Sequence, residues 1–172
     1  VDNDPYMTVL DGRLVWIVDL YTTTDRYPYA RPANTSRLGV NSGTLPSTFN
    51  YVRNSVKATV DAYDGTMTLY VVDESDPLIG AYRKIFPDLF TDGSTMPPQL
   101  VEHLRYPEDL FRVQSDMYRL YHMIEPDVFY QEEDLWEVPR DPSNARLLET
   151  LRGRLVESGF DPMIPYYLLM RL

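Results

Sequence analysis

The sequence predicts an α+β fold: a mainly antiparallel sheet of about four to five strands, with helices packed on one face. Two apolar stretches are each interrupted by an Asp-Gly pair, at Asp11-Gly12 and Asp64-Gly65. Gly tolerates the positive φ angles of a two-residue hairpin turn, and Asp tolerates them better than most residues, so each pair predicts a β-hairpin. Helical patterns follow the second hairpin and an apolar strand pattern follows the helices, and such segregated elements are typical of α+β domains.

Residues 6–22 predict the first hairpin, and its second strand is apolar on both faces. One face carries Leu14, Trp16, Val18 and Leu20, and the other carries Val15, Ile17 and Tyr21. A strand that is apolar on both faces is covered on both, so we expect it in the centre of the sheet. Residues 23–50 show neither helical nor strand periodicity and are rich in Thr, Pro, Asn, Ser and Gly, which indicates a long loop.

Residues 51–73 predict the second hairpin, closed by Asp64-Gly65. A two-residue turn there sets up the pairs Ala62 with Met67, Val60 with Leu69 and Ala58 with Val71, which we expect to form the core face. The other face of the same strand carries Arg53, Lys57 and Asp61 in a row. Alternation along a strand places charges on a solvated face, so this face is predicted to be polar or to cover a partner.

Helical patterns occupy most of the remaining chain. Asp76 is placed to cap a helix that starts at Pro77 and stops at Pro87. A longer helical region over residues 98–122 breaks near Tyr106-Pro107, because the residue before a proline disfavours helical angles. The remaining predictions are an irregular or short helical segment over 124–137, an amphipathic helix over 141–159 and a final strand over 163–172 that returns to the sheet.

Composition excludes several classes of function. The chain has 172 residues, enough for one domain with its own core, and 26 acidic against 16 basic residues give a net charge of −10. This charge repels nucleic-acid phosphates and anionic headgroups, so no nucleic-acid partner is predicted. The absence of cysteine excludes disulfides and thiolate chemistry. No apolar run approaches the ~20 residues that span a bilayer, so we expect no direct membrane insertion by this segment.

Common catalytic and cofactor motifs are absent from the sequence. There is no Gly-x-Ser-x-Gly, no phosphate-binding glycine loop and no dinucleotide-binding glycine pattern. The acidic residues Asp127, Glu132, Glu133 and Asp134 lack the spacing of a calcium loop and are interpreted as a solvated turn. The sequence therefore predicts no cofactor and no metal, and it favours a protein that is not an enzyme.

Four basic side chains are the best candidates for a small-ligand site: Arg53, Lys57, His103 and Arg105. Arginine presents a planar fork of donors that suits a carboxylate or phosphate. The alternative is local pairing, of Lys57 with Asp61 and of Arg105 with Glu108 or Asp109. His103 and His122 are candidate general bases, but a base needs a positioned carboxylate and a cleft, and a histidine that hydrogen-bonds a helix end is the favoured interpretation.

Aromatic residues offer a further candidate surface. The chain contains 14 tyrosines and 2 tryptophans. Tyrosine joins apolar area to a polar tip, which suits an interface. Tyr27-Pro28-Tyr29 and Pro165-Tyr166-Tyr167 are therefore predicted either to contact partners or to cover the sheet within this chain.

Several strings stand in a recognisable order along most of the chain. They are Trp16 with Asp19, Tyr21 and Thr22; Tyr27-Pro28-Tyr29; Asn50-Tyr51-Val52-Arg53-Asn54-Ser55-Val56-Lys57; Val60-Asp61-Ala62-Tyr63-Asp64-Gly65; Asp76-Pro77; Ile85-Phe86-Pro87; His103-Leu104-Arg105-Tyr106-Pro107-Glu108-Asp109-Leu110-Phe111; Tyr121-His122; Phe129-Tyr130; Asp134-Leu135-Trp136; and Pro165-Tyr166-Tyr167. In this order they resemble uncharacterised protein family 0182, large bacterial membrane proteins. Residues 31–47 and 140–161 match the family pattern poorly.

The resemblance implies a location rather than a mechanism. It implies a parent protein of the cell membrane with several N-terminal spanning helices and a large extracytoplasmic region, of which residues 1–172 are one soluble domain. We expect a non-catalytic binding or assembly module whose partners are the remainder of its own membrane-embedded chain and other envelope proteins. The alternative is an enzyme or sensor acting on a cell-envelope component or an anionic small ligand, with the four basic side chains in one pocket.

Overall fold

A sheet of five strands organises the described part of the chain. The computed structural model describes residues 1–34, 45–46, 48–141, 150–151, 154–155, 162–168 and 170. The strands are β1 (Tyr6–Leu10), β2 (Arg13–Thr24), β3 (Ala33–Asn34), β4 (Thr48–Phe49), β5 (Tyr51–Asp61), β6 (Met67–Val71), β7 (Phe90–Asp92), β8 (Thr150–Leu151) and β9 (Arg154–Leu155). The main sheet has the order β1-β2-β5-β6-β7, and β3-β4 and β8-β9 each form a two-stranded sheet.

Four α-helices accompany the strands in the described residues. They are α1 (Pro77–Ile85), α2 (Pro98–Glu102), α3 (Glu108–Tyr121) and α4 (Pro126–Gln131), and a 3-10 turn covers Gly93–Thr95. Every pairing in the main sheet is antiparallel except that of β6 with β7. The α+β class and the five-stranded, mainly antiparallel sheet are therefore confirmed.

The chain divides into two compact units, and the division falls inside α3. The first unit is Val1–Gln114, which holds the main sheet, and the second is Ser115–Leu172. The single domain that the sequence predicts stays a prediction. In the described residues, no helix has both the length and the apolar character needed to cross a bilayer.

The first hairpin has the predicted turn. Leu10 pairs with Arg13 across Asp11 and Gly12, whose φ angles are 48° and 79°. Both residues are thus in the left-handed region that a two-residue turn of this kind requires. β2 lies between β1 and β5, so its predicted central position is also confirmed.

The second hairpin has a longer turn than the sequence predicted. Val60 pairs with Met67, and Asp61 N–H donates to the Thr66 carbonyl oxygen at 3.0 Å, which leaves a four-residue loop from Ala62 to Gly65. Only Gly65 has a positive φ there, at 75°. The predicted pairs are therefore wrong by two positions, with Ala58 opposite Leu69 rather than Val71. A shift of two keeps each side chain on its face, because strand alternation has a period of two.

Helices cover both faces of the sheet rather than the single face that the sequence predicted. Leu100 of α2 packs with Ile17 and Tyr6 on one face. Ile79 of α1 packs with Val56 and Val71 on the other. Lys57 and its partner Asp19 are buried on the face that α2 covers, so the prediction that this face is solvated is wrong at Lys57.

Local helix signals match the structure. The Asp76 side chain accepts a hydrogen bond from Leu78 N–H at the start of α1, and Pro77 is the first residue of that helix. The predicted break at Tyr106-Pro107 separates α2 from α3. The segment over residues 124–137, predicted to be irregular or a short helix, contains α4. Caps and proline breaks depend on neighbouring residues only, which is why sequence predicts them well.

The C-terminal predictions fare worse. Thr150–Leu151 and Arg154–Leu155 form short strands, so the predicted helix is wrong at these residues. The rest of that helix, including Leu147 and Leu148, lies outside the described residues. The predicted final strand is also wrong for residues 163–168, which join no sheet. A strand requires a partner, and Pro162 and Pro165 lack the N–H that a ladder needs.

Candidate functional site

A cavity of about 460 Å³ lies in the first unit and brings together three of the four predicted site residues. Arg53 and Lys57 reach it from β5, and Arg105 reaches it from the segment between α2 and α3. Alternation along β5 does not by itself explain the first two, because the register of β5 with β2 shifts between the pairs Leu20–Val56 and Thr22–Arg53. Arg105 and Pro107 both line the cavity from the break between these two helices.

Arg53 lies at an exposed position in this cavity, beside Asp73. Its Nη1 atom is 2.9 Å from Asp73 Oδ2 and 3.4 Å from Ser75 Oγ. Hydrogen bonds from Ser75, together with the Arg53 guanidinium, hold the pKa of Asp73 below its ordinary value. Asp73 is therefore ionised at neutral pH and neutralises part of the charge of Arg53.

Lys57 is buried and forms an ion pair with Asp19 on the neighbouring strand. The ammonium contacts Asp19 Oδ1, and the two side chains are 8% and 2% exposed. The same ammonium lies 3.4 Å from the Arg105 carbonyl oxygen. Lys57 thus pairs with Asp19, whereas the sequence suggested Asp61, which instead pairs with Arg13 at 2.7 Å. Its position indicates that it anchors the cavity wall.

Arg105 is fixed to the sheet through Tyr6. Its backbone N–H donates to the Tyr6 hydroxyl at 2.9 Å, and its guanidinium carbon lies 4.6 Å from the centre of the Tyr6 ring. Burial raises the pKa of Tyr6, so the phenol is neutral at physiological pH. A guanidinium over an aromatic face is held by the ring quadrupole and still presents its donors in its own plane.

The two histidines do not line this cavity. His103 lies at the C-terminal end of α2, and its Nδ1 is 2.6 Å from the Gln99 carbonyl oxygen. Because a carbonyl oxygen only accepts, Nδ1 is the donor in this contact. His122, in the second unit, stacks on Trp136 at 3.9 Å, and its Nδ1 is 3.0 Å from the Tyr118 carbonyl oxygen. Both histidines thus make the helix-end hydrogen bonds that the sequence favoured.

Asp76 is the centre of a buried polar network beside the cavity strand. Its carboxylate accepts hydrogen bonds from the hydroxyls of Thr22, Ser55 and Tyr51 as well as from Leu78 N–H. Burial alone would raise the pKa of Asp76, but these hydrogen bonds outweigh burial and lower it. Burial and the Asp76 carboxylate raise the pKa of Tyr51 to about 12. The network fixes the start of α1 against β2 and β5.

An apolar sheet face is exposed at the opposite side of the sheet from α2. We define it by Met7, Val9, Leu14, Trp16, Val60 and Met67. The strand register places Met7, Trp16, Val60 and Met67 side by side across four strands, with Val9 beside Leu14. All six side chains are exposed except Val60, which is half-buried. Contiguous apolar surface of this kind marks interaction sites in soluble domains.

The predicted aromatic contact segments are also at the surface. Tyr29 is fully exposed, whereas Tyr27 stacks on Tyr51 with ring centres 5.5 Å apart. Tyr166 and Tyr167 are exposed as well. Their contact role stays a prediction. Within the described residues, no cluster of three or more His, Asp or Glu side chains is placed to hold a metal ion.

Sequence reasoning missed the acidic partners of the site. Asp19 and Asp73 were not singled out, although each binds a predicted cation. Both contacts join residues that are distant in the chain, so local spacing carries no signal for them. Only the pairing of β2 with β5, once its register is known, identifies Asp19 as the residue directly opposite Lys57.

Comparison with known proteins assigns the family. The model of an uncharacterised protein family, UPF0182, matches residues 1–172. The chain belongs to the UPF0182 family. It is 46% identical to a UPF0182 protein of Trichodesmium erythraeum and 44% identical to one of Methanospirillum hungatei, with 99% of this chain covered in each case. A UPF0182 protein of Bradyrhizobium diazoefficiens is 43% identical over the whole chain.

These UPF0182 relatives are much longer than this chain. The aligned region spans 18%, 17% and 16% of the three relatives, respectively. Because the family model matches the whole chain, the resemblance that the ordered sequence strings suggested is confirmed. No solved structure matches this UPF0182 chain.

Proposed function

We propose that this chain is a non-catalytic binding or assembly module in the extracytoplasmic region of a multi-pass membrane protein. Its apolar sheet face would bind the remainder of the same polypeptide. The family resemblance implies such a parent protein, the greater length of the relatives fits it, and the exposed sheet face is the observation that carries the binding role.

The composition of the apolar sheet face favours a protein partner. Trp and Met are among the residue types enriched in interface cores. The row of four side chains that contains Trp16 and Met67, one from each strand, includes no charged residue. On the opposite face, Leu100 of α2 covers Ile17. One face of the sheet is thus covered within the first unit, while part of the other is left for a further contact.

The remainder of the same polypeptide is the occupant that the comparisons favour. In each of the three relatives, the aligned region is less than one fifth of the length, so more than four fifths lies outside it. A covalently linked partner is present at a high effective concentration, so a modest apolar surface suffices for stable docking. Side chains of the cavity that could act in catalysis are instead paired, Lys57 with Asp19 and Arg53 with Asp73.

The binding role is tested with two matched variants. The substitutions Val9→Glu and Val101→Glu add the same charge at residues that are 57% and 51% exposed. Val9 lies on the apolar sheet face, whereas Val101 lies on α2 at the other face. The 172-residue chain is added to membranes that contain the full-length protein lacking this segment, and its binding is measured by titration.

We expect Val9→Glu and Trp16→Glu each to weaken binding at least about tenfold, since a buried charge or a lost tryptophan anchor is costly at an interface. Val101→Glu should bind as the unmodified chain does. Equal binding of the Val9 and Val101 variants contradicts the proposal.

The location is tested separately with an epitope inserted at the exposed Tyr29. Antibody should reach it on intact cells, and labelling only after lysis contradicts the extracytoplasmic location.

A further inference from the structure

The cavity gathers basic side chains of an acidic protein. The net charge is −10, yet Arg53, Lys57 and Arg105 all line this cavity, where Lys57 pairs with buried Asp19 and Arg53 pairs with Asp73. Its volume of about 460 Å³ lies within the range of small-molecule sites. We propose that this cavity binds a small organic carboxylate with an apolar body, held by Arg53 and Arg105.

Arg53 retains the donors that a carboxylate needs. Its contacts with Asp73 and Ser75 both use Nη1. Within the described residues, Nε and Nη2 make no hydrogen bond, and the side chain is 46% exposed. These two atoms form one edge of the guanidinium, and such an edge binds a carboxylate through two parallel hydrogen bonds.

Arg105 supplies the second cation from another wall of the cavity. The Tyr6 ring and hydroxyl hold the residue in place, and Lys57 contacts its carbonyl oxygen. Lys57 thus has a positioning role: its ammonium pairs with buried Asp19 and also contacts the Arg105 backbone. A ligand carboxylate would therefore not reach Lys57, which is 8% exposed, and would contact the two arginine side chains that line the cavity.

An apolar wall defines the rest of the ligand. Val52, Pro107 and Leu110 line the cavity beside the cations, together with Tyr106. The Tyr106 hydroxyl bonds to the Gln114 side chain, which leaves the ring as a further apolar surface. A purely polar anion would leave this wall hydrated, whereas an aromatic or aliphatic carboxylate would cover it.

Asp73 provides a test with a predicted gain of affinity. It is ionised and shares Arg53, so it competes with a bound carboxylate. The substitution Asp73→Asn removes this competing charge and preserves the size of the side chain. It should therefore strengthen the binding of an anion, an effect that general damage to the fold does not produce.

The experiment is a titration of the 172-residue chain with sodium benzoate, followed by amide NMR. Acetate, benzyl alcohol and inorganic phosphate serve as comparison probes. Benzoate should bind saturably, with shifts centred on residues 52–57 and 105–110, and more tightly than the other three probes. Diffuse shifts that do not saturate, or tighter binding of phosphate than of benzoate, would overturn the assignment.

Charge variants give the second arm of the experiment. Arg53→Gln and Arg105→Gln should each weaken benzoate binding roughly tenfold, as expected for loss of a charged hydrogen bond. Arg83→Gln is the matched control, because Arg83 forms an exposed ion pair with Glu74 at 3.0 Å and does not line the cavity. If Arg53→Gln disturbs the spectrum of the whole chain, the role of Arg53 is tested by Asp73→Asn, which should bind benzoate more tightly than the wild type. Unchanged affinity in Asp73→Asn and Arg105→Gln overturns the proposal.

Discussion

Asp19 and Lys57 face each other directly across β2 and β5 and form an ion pair that is almost completely buried. Burial raises the pKa of Asp19, and the ammonium of Lys57 opposes that effect. Both side chains lie on the sheet face that α2 covers, where neither charge has ready access to water. Loss of one partner would leave the other as an isolated buried charge, which is far more costly than loss of both.

We therefore predict that Lys57→Met lowers the free energy of unfolding by roughly 3–5 kcal/mol. The double variant Asp19→Asn with Lys57→Met should recover a large part of that loss. Urea unfolding of these two variants and of Asp19→Asn alone completes the double-mutant cycle. Arg13→Met, which removes one partner of the exposed ion pair with Asp61, is the control and should have a much smaller effect. Strictly additive effects at positions 19 and 57 would disprove this energetic coupling.

A second prediction concerns the acid stability that Asp76 provides. Its pKa is lowered in the folded protein from the ordinary value of 3.8, so the folded state holds its proton less tightly than the unfolded state. The resulting stabilisation is complete above pH 3.8 and is lost as the pH falls through the lower pKa of the folded state.

Chemical unfolding between pH 6 and pH 2 tests this prediction. Asp76→Asn should be less stable than the wild type at pH 6 and should lose less stability on acidification. Thr22→Val and Ser55→Ala each remove one donor to the carboxylate and should flatten the profile to a smaller degree. If the free energy of unfolding of Asp76→Asn falls with decreasing pH as steeply as that of the wild type, other groups control the acid stability.

Two glycines allow a matched test of packing in the first unit. A Cβ atom at Gly93 would lie 2.1 Å from the backbone oxygen of Val71, whereas a Cβ atom at Gly80 would meet nothing within 4 Å. Gly93→Ala must therefore shift β6 or the turn after β7, and we expect it to lower the free energy of unfolding by about 1–3 kcal/mol or more.

Gly80→Ala should have the opposite sign. Gly80 lies inside α1, where alanine favours the helix over glycine by roughly 0.5–1 kcal/mol. Thermal unfolding of the two variants under the same conditions compares them directly. A destabilised Gly80→Ala variant, or a Gly93→Ala variant as stable as the wild type, would contradict this description of the sheet edge.

Sequence patterns predicted the parts of the fold that depend on near neighbours. The Asp11-Gly12 turn, the Asp76 cap and the break at Pro107 each follow from a few adjacent residues. The register of β5 with β6 was missed, because side chains of Asp61 and Asp64 hydrogen-bond backbone N–H groups within the loop and stabilise a longer turn. The three-residue strand β7 is too short to carry a periodic signal.

The candidate site was predictable only in part, for a related reason. The sequence patterns predicted that Arg53 and Lys57 lie on one strand, but not the register shift between β5 and β2 that interrupts the alternation between them. Their acidic partners and the burial of Lys57 depend on strand pairing and on α2, which are tertiary features. The apolar sheet face follows the same rule: Trp16 was correctly placed on a strand face, but its exposure depends on where the helices pack.

The measurement that tests the docking role most directly is the rate of maleimide labelling of Val9→Cys and Val101→Cys. The chain contains no other cysteine, so each variant carries a single reactive thiol within it. In the isolated chain both thiols should react at similar rates, because residues 9 and 101 have similar exposure. In the full-length protein, with any cysteines outside this segment replaced, we predict that Val9→Cys is protected while Val101→Cys still reacts. Equal labelling of the two variants in the full-length protein would contradict docking through the apolar sheet face.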